Sequence, residues 1–127
     1  MKSENGRPPW DLRERTFEFA RRIVKLCQTL DQAPGASRTL AHQLLRAGSS
    51  VGANVEEGHA SQSRADFVSK YSIACKEARE SHYWLRLLVA AEVTPADRLS
   101  PLIDEANQLV AILTTIVKKA RRPIPAE

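Results

Sequence analysis

The chain has 127 residues and a mass of 14.2 kDa, which suits one domain with a single hydrophobic core. Hydrophobic residues make up 43% and charged residues 27%, so the composition excludes a disordered or fibrous protein over most of the length. The net charge of +4 permits attraction to nucleic acid, but ordinary solubilising charge gives the same balance. No apolar run approaches the roughly 20 residues of a transmembrane helix, so we expect no integral membrane protein.

The first predicted helix follows a short polar leader. We expect residues 1–9 to form a flexible leader, residues 10–122 the folded domain and residues 123–127 a tail. The helix is expected from Asp11 to Leu30, because apolar residues recur there at spacings of three and four: Ala20, Ile23, Cys27 and Leu30. Pro34 and Gly35 then end it.

The second predicted helix combines an apolar inner side with several small residues. Ser37 is the expected N-cap. The inner side carries Leu40, Leu44, Ala47, Val51, Val55 and Gly58. The small residues Ala47, Gly48, Gly52 and Ala53 predict the close approach of a neighbouring backbone.

Two further helices complete the predicted fold. Ser63 and Asp66 have the spacing that caps a helix start, and this third helix is expected to end near Glu92. Thr94 as N-cap, with Pro95 at the first helical position, opens the fourth. Its apolar stripe is Leu99, Leu102, Ala106, Leu109, Leu113, Ile116 and Ala120. Since connections this short force neighbours to run antiparallel, we predict an all-α, up-and-down four-helix bundle.

The third helix carries a second stripe beside its core stripe. The core stripe is Phe67, Tyr71, Ala74, Ala78, Ser81, Leu85 and Leu88, and the second is Lys70, Ile73, Glu77, Glu80, Trp84, Leu87 and Ala91. A helix in a lone bundle needs one such face, so the second predicts contact with another subunit and hence a homo-oligomer. The alternative is that the bundle packs this helix deeply and that Trp84 belongs to its core.

No catalytic chemistry is apparent along the chain. Glu77 and Glu80, and the Glu56-x-x-His59 pair, have spacings found in di-iron bundles, but the set is incomplete, so we expect no metal site, no cofactor and no enzyme activity. The plainer role for both glutamates is pairing with Lys70, Lys76 or a basic residue of another helix, since partly buried carboxylates need partners. Cys27 and Cys75 lie in apolar stripes and no signal peptide is recognisable, so we expect buried thiols and a cytoplasmic protein.

Three segments give the chain a family resemblance: "SVGANVEEG", "SRADF" and "IACKEARESHYWLRLL". They resemble the signature of the four-helix bundle proteins related to the bacterial 23S rRNA intervening-sequence proteins. That family is similar to the accessory variability determinant of diversity-generating retroelements, which works through contacts to nucleic acid and a reverse transcriptase. The resemblance implies a ring-like homo-oligomer, with a pentamer favoured. Candidate interface or buried polar residues are Asn54, Glu57, Lys70, Glu77, Glu80 and Trp84, and Asn54 is expected to hydrogen-bond across the seam between helices two and three.

Two functions compete at this point. The first is a non-enzymatic oligomeric module that binds RNA or DNA phosphates without reading sequence. Its candidate contacts are Arg13, Arg21, Arg22, Lys25, Arg46, Lys118, Lys119, Arg121 and Arg122, although the sequence does not say whether they form one patch. The second is a scaffold or adaptor that recognises a partner protein, with nucleic acid irrelevant.

Overall fold

The computed structural model describes residues 11–122, and these form four helices with no strand. The helices are α1 (Leu12–Leu30), α2 (Ala36–His59), α3 (Arg64–Ala90) and α4 (Ala96–Arg121). The predicted number and order of helices are therefore confirmed. The predicted leader and tail lie outside the described residues.

Consecutive helices run antiparallel, as their contacts show. Gly48 of α2 lies against Ile23 of α1, whereas Gly52, further along α2, lies against Thr16, which comes earlier in α1. The two helices therefore run in opposite directions.

Helices α2 and α3 are also antiparallel, since Gly58 lies against Tyr71 and Arg46 against Glu77. So are α3 and α4, since Arg64 contacts Ala120 and Cys75 contacts Thr114. Both pairs form long interfaces, whereas α1 and α4 approach one another at few positions. A bidentate ion pair spans that narrow contact, because Arg15 binds Glu105 at 2.7 Å.

The core follows the predicted stripes closely. Ile23, Cys27 and Leu30 of α1 are buried, as are the stripe residues of α3 from Tyr71 to Leu88. In α4 the stripe holds from Leu99 to Leu113, but Val117 takes the last buried position in place of the predicted Ile116. An α-helix has 3.6 residues per turn, so a strict seven-residue repeat drifts around it, and here it leaves the inner face after two heptads.

Helix ends differ from the predictions at three places. Ser37 is not the N-cap of α2, because Gly35 occupies the cap and the Ser37 hydroxyl donates instead to the Leu30 carbonyl at 3.0 Å. Thr94 is not the N-cap of α4, because Pro95 stands there and the helix begins one residue later. The Ser63 cap is confirmed, since its hydroxyl accepts from the Asp66 amide at 3.0 Å.

The third difference is the end of α3, which comes two residues before the predicted Glu92. Glu92 has a φ of 61°, a left-handed conformation that usually requires glycine. The Val93 amide donates to the Leu88 carbonyl and the Glu92 amide to the Val89 carbonyl, which is the Schellman arrangement. Because a glutamate stands where glycine would usually indicate a helix end, the sequence does not show that α3 ends here.

Small residues in α2 act in two ways. At Gly52 an added Cβ would lie 3.2 Å from the Thr16 carbonyl oxygen, so the predicted approach of a neighbouring backbone is confirmed there. At Gly48 the close neighbour is instead a side chain, because an added Cβ would lie 2.9 Å from both γ-carbons of Ile23. The α1–α2 contact therefore depends on both glycines.

Candidate functional site

A cationic groove lies between α3 and α4. Its lining residues are Ser72, Cys75 and Arg79 from α3, and Thr114, Val117, Lys118 and Arg121 from α4. The antiparallel register of the two helices brings these residues together, although they are far apart in sequence. Among the described residues, the lining includes three cations and no carboxylate.

The groove's guanidinium groups are held by neutral partners. Arg121 donates to the Ser72 hydroxyl at 3.2 Å, and Arg79 donates to the Cys75 sulfur at 3.3 Å. The same sulfur lies 3.3 Å from the Thr114 hydroxyl. Within residues 11–122, no carboxylate forms an ion pair with Arg79, Lys118 or Arg121. Their positive charges are therefore not neutralised by any carboxylate of the described residues.

Arg64 adds a further cation at the end of the groove where α4 terminates. Its guanidinium donates to the Ala120 carbonyl at 2.5 Å and to the Arg122 carbonyl. The last carbonyls of a helix lack intrahelical partners and carry partial negative charge, so an arginine supplied by the neighbouring helix stabilises this end. Arg64 thereby joins the start of α3 to the basic end of α4.

Two of the predicted contacts, Lys118 and Arg121, lie in this groove, and Lys119 and Arg122 are exposed at the same end of α4. Arg64 and Arg79 were missed, because both belong to α3, whose prediction rested on its apolar and acidic positions. The predicted antiparallel packing of α3 on α4 places the start of α3 beside the end of α4, and from this Arg64 could have been predicted to lie near the basic end of α4. Arg79 follows Cys75 by one helical turn on the side that faces α4.

The remaining predicted cations lie elsewhere, so the set is not one patch. Arg21 pairs with Glu18 at 2.7 Å on α1, and the hydrogen bond and negative charge of Glu18 raise the pKa of Arg21. Lys25 is exposed and Arg22 half-buried on α1, which has no interface with α3. Arg13 lines a separate groove between α1 and α2.

Arg46 joins a polar cluster at the α2–α3 seam. One guanidinium nitrogen lies 3.3 Å from Glu77, which is buried, and the other contacts Glu80. The Trp84 indole N–H donates to the same Glu80 carboxylate at 3.0 Å. Glu77, Glu80 and Trp84 of the second stripe thus find partners within the chain, since Trp84 also packs against the hydrophobic core, whereas Ile73 of the same stripe stays exposed. The polar middle of this stripe therefore no longer requires another subunit.

Two of the other candidate interface residues, Asn54 and Lys70, have contacts within their own helices. Asn54 donates to the Ser50 carbonyl at 2.9 Å in its own helix, so the expected hydrogen bond across the α2–α3 seam is wrong. A side-chain amide four residues after a helical carbonyl reaches it without crossing to a neighbour. Lys70 lies 3.9 Å from Asp66 on α3, and Glu57 is exposed.

The two cysteines are buried thiols, as expected. The Cys27 sulfur lies 3.3 Å from the Ala41 carbonyl oxygen, and burial, with the nearby charge of Asp31, raises the pKa of Cys27 to about 11. A thiol with so high a pKa is a poor nucleophile at neutral pH, because only the thiolate attacks. In the part of the chain that the structure describes, no three His, Cys, Asp or Glu side chains form a group able to hold a metal ion. None of the four described helices combines the length and hydrophobicity that crossing a membrane requires.

Comparison with known proteins gives a family and a solved relative. A family model described as 23S rRNA-intervening sequence protein matches residues 10–115. A crystal structure of a protein of unknown function from Bacteroides thetaiotaomicron, assigned to the S23 ribosomal protein family, is 37% identical with a TM-score of 0.77. The match covers 84% of this chain and 95% of that one. No curated protein matches the chain. Because the family model spans most of the bundle and the related structure shares its fold, the chain belongs to the family of 23S rRNA-intervening sequence proteins.

Proposed function

We propose that this protein is a non-enzymatic module that binds the phosphate backbone of nucleic acid, RNA above all, in the cationic groove between α3 and α4. The observation that carries the proposal is the placement of Arg79, Lys118 and Arg121 around one groove that has no described carboxylate in its lining. Cations that are not already paired gain the most from an incoming phosphate, since no existing ion pair must be broken.

The groove also offers the other side chains that phosphate contacts use. Arginine and lysine supply charge, while serine and threonine hydroxyls add hydrogen bonds to phosphate oxygens. Ser72 and Thr114 stand among the cations of this groove. The described lining contains no aromatic side chain on which a base could stack, so we expect binding with little dependence on base sequence.

The choice of RNA over DNA comes from the matched proteins. The description of the family names a 23S rRNA intervening sequence, and the Bacteroides thetaiotaomicron relative is assigned to a ribosomal protein family. Both descriptions concern those proteins, and they are the reason for placing RNA before DNA in the proposal.

Self-association, with a pentamer favoured by the resemblance, belongs to the same proposal. A ring would repeat the groove once per subunit and strengthen binding to a long RNA through multivalency. Light scattering at micromolar concentration would test it, and a monomer would contradict the oligomer.

The test of the groove is a charge-reversal experiment with a matched control. The doubly substituted Lys118→Glu/Arg121→Glu protein should bind a fluorescent RNA hairpin about a hundredfold more weakly at about 50 mM salt, since each lost phosphate contact removes about one factor of ten. Arg21→Glu/Lys25→Glu makes the same change in net charge on α1 and should have little effect. Both pairs are exposed, so circular dichroism should show the native helix content.

Equal losses of affinity in the two double variants would show that only net charge matters, and would reject the groove as the site. No binding of the unsubstituted protein at low salt would reject nucleic acid as the ligand. Because the control removes the same number of cations, the comparison separates location from overall charge.

A further inference from the structure

A second pocket lies further along the seam between α3 and α4. Its lining includes His82 and Val89 from α3, and Ser100, Ile103, Asp104 and Asn107 from α4. None of its lining residues also lines the cationic groove. The pocket has a volume of about 490 Å³, which falls within the roughly 300–1,000 Å³ of sites for small molecules. It therefore has room for one planar ring system.

The pocket and the cationic groove lie on the same faces of α3 and α4. On α3, His82 follows Arg79 of the groove by three residues, and on α4, Asn107 precedes Thr114 of the groove by seven. Residues separated by three or seven positions share one face of a helix. Three residues correspond to about 4.5 Å along the axis of α3, so the pocket begins about one turn from a groove cation. A nucleic-acid strand held in the groove can therefore place a neighbouring nucleotide over the pocket.

Polar side chains converge on this pocket among apolar ones. Val89 and Ile103 supply apolar surface. The side chains of His82, Ser100 and Asn107 form no hydrogen bond or ion pair with any residue that the structure describes. Apolar surface combined with a few available hydrogen-bonding groups is typical of a ligand site.

The charge of the pocket differs from that of the groove. Among its described lining residues, Asp104 is the one acidic residue, and no lysine or arginine is present. The Asp104 carboxylate accepts a hydrogen bond from Gln108 at 3.4 Å, but it pairs with no cation of residues 11–122. A carboxylate repels phosphate and accepts hydrogen bonds from the amino groups of bases. This end of the seam therefore suits a base and not a second phosphate.

His82 supplies a planar ring where the pocket comes nearest to the groove. It is half-buried, and burial together with the positive charge of Arg86 lowers the pKa of His82, so the imidazole is neutral at pH 7. A neutral imidazole has one donor and one acceptor nitrogen, and its ring can stack on a base. The Asn107 amide also donates and accepts. The pocket thus offers hydrogen bonds to any of the four bases.

We propose, on the basis of the function proposed above, that this pocket binds one unpaired base of an RNA whose neighbouring phosphates lie in the cationic groove. The phosphates supply most of the affinity, and the base selects RNA that has a bulged or single-stranded nucleotide. A base inside a duplex reaches the pocket only after it is unpaired and unstacked, which opposes binding. Because every base has a ring face and hydrogen-bonding groups, the selection is for the unpaired state and not for one base sequence.

Three fluorescent RNA hairpins that differ at one nucleotide test the pocket. The first has a single bulged nucleotide, the second has an abasic bulge that keeps the phosphate but lacks the base, and the third is fully paired. The unsubstituted full chain should bind the bulged hairpin about tenfold more tightly than the other two, as expected for one stacked base. Since the bulged and abasic hairpins have the same number of phosphates, the difference between them reports the base alone.

Substitutions then locate the effect on the protein. His82→Ala/Asn107→Leu should bind all three hairpins with the affinity of the unsubstituted chain for the paired hairpin, because the cationic groove is intact. Asn107 is exposed, so Asn107→Leu alone should keep the fold and reduce the preference about threefold, as expected for one lost hydrogen bond. His59→Ala/Gln28→Leu removes similar side chains from exposed positions of α2 and α1 and should keep the full preference.

The possible failures are distinguishable. Equal affinity of the unsubstituted chain for the bulged, abasic and paired hairpins would overturn the pocket proposal and leave the cationic groove as the phosphate site. An undiminished preference in His82→Ala/Asn107→Leu would overturn it too. If that variant instead changes the oligomeric mass in light scattering, a second copy of the chain occupies the pocket. Failure of all three hairpins to bind would reject the proposed function, and the pocket proposal with it.

Discussion

Substitution of Gly48 by alanine tests how tightly α1 and α2 are packed. The added Cβ would lie 2.9 Å from two carbons of Ile23, which is fully buried and, as a β-branched residue, has few rotamers to adopt. We expect overpacking to cost about 2–3 kcal/mol, against a gain of about 1 kcal/mol in helix propensity. Gly48→Ala should therefore destabilise the protein by about 1–2 kcal/mol.

The sign of this effect should reverse when Ile23 is shortened. Ile23→Ala removes both γ-carbons that lie 2.9 Å from the new methyl group and leaves only the Cβ of residue 23, at 3.2 Å, although it costs about 2–5 kcal/mol by itself. In that background Gly48→Ala should stabilise the protein by about 0.5–1 kcal/mol, because the vacated space lets the remaining contact relax and the propensity gain then dominates. Urea unfolding followed by far-ultraviolet circular dichroism gives the free energy of unfolding of all four proteins.

An exposed position in the same helix provides the control for propensity. Ala53→Gly should cost about 1 kcal/mol in both backgrounds, since Ala53 is exposed whereas Ile23 is fully buried. If Gly48→Ala changes the free energy of unfolding equally in both backgrounds, the close contact with Ile23 is not what selects glycine at position 48.

The other stability predictions concern the polar cluster and the buried thiol. Arg46→Met should lower the free energy of unfolding by about 1–2 kcal/mol, because Glu77 and Glu80 lose their cation, and Glu77→Gln in that background should restore part of the loss in the same urea assay. Burial raises the pKa of Cys27 from 9.0 to about 11, so its stabilising contribution is complete below pH 9 and is lost as the pH rises toward 11. Between pH 9 and pH 11 the melting temperature of Cys27→Ala should therefore fall less than that of the unsubstituted protein. Melting temperatures that fall in parallel with pH in the two proteins would contradict the raised pKa of Cys27.

Much of the fold could be predicted because its helices follow local rules. The α3 start was recognisable from Ser63 and Asp66, whose side-chain and backbone groups interact within one turn. Apolar residues at spacings of three and four identified the buried faces, and short connections fixed the antiparallel order. The end of α3 was harder to place, because Glu92 adopts a conformation that its side chain does not favour.

The candidate site could not be predicted in the same way, because it depends on which residues of neighbouring helices lie side by side, and the sequence pattern does not give that alignment. Arg46 is basic and exposed in part, so it fitted a nucleic-acid contact, but the structure turns it toward Glu77 and Glu80. Arg79 lacked any local signal, and only the packing of α3 on α4 brings it beside Lys118. Charge alone therefore identified candidate cations, while their neighbours decide which remain available to a ligand.

The salt dependence of RNA affinity tests the central claim most directly. On a plot of log affinity against log salt concentration, each phosphate contact contributes a slope of about 0.7–0.9. Lys118→Gln/Arg121→Gln should make the slope shallower by about 1.4–1.8, whereas Arg21→Gln/Lys25→Gln should leave it unchanged. Identical slopes for the unsubstituted protein and both double variants would contradict the assignment of phosphate binding to the groove between α3 and α4.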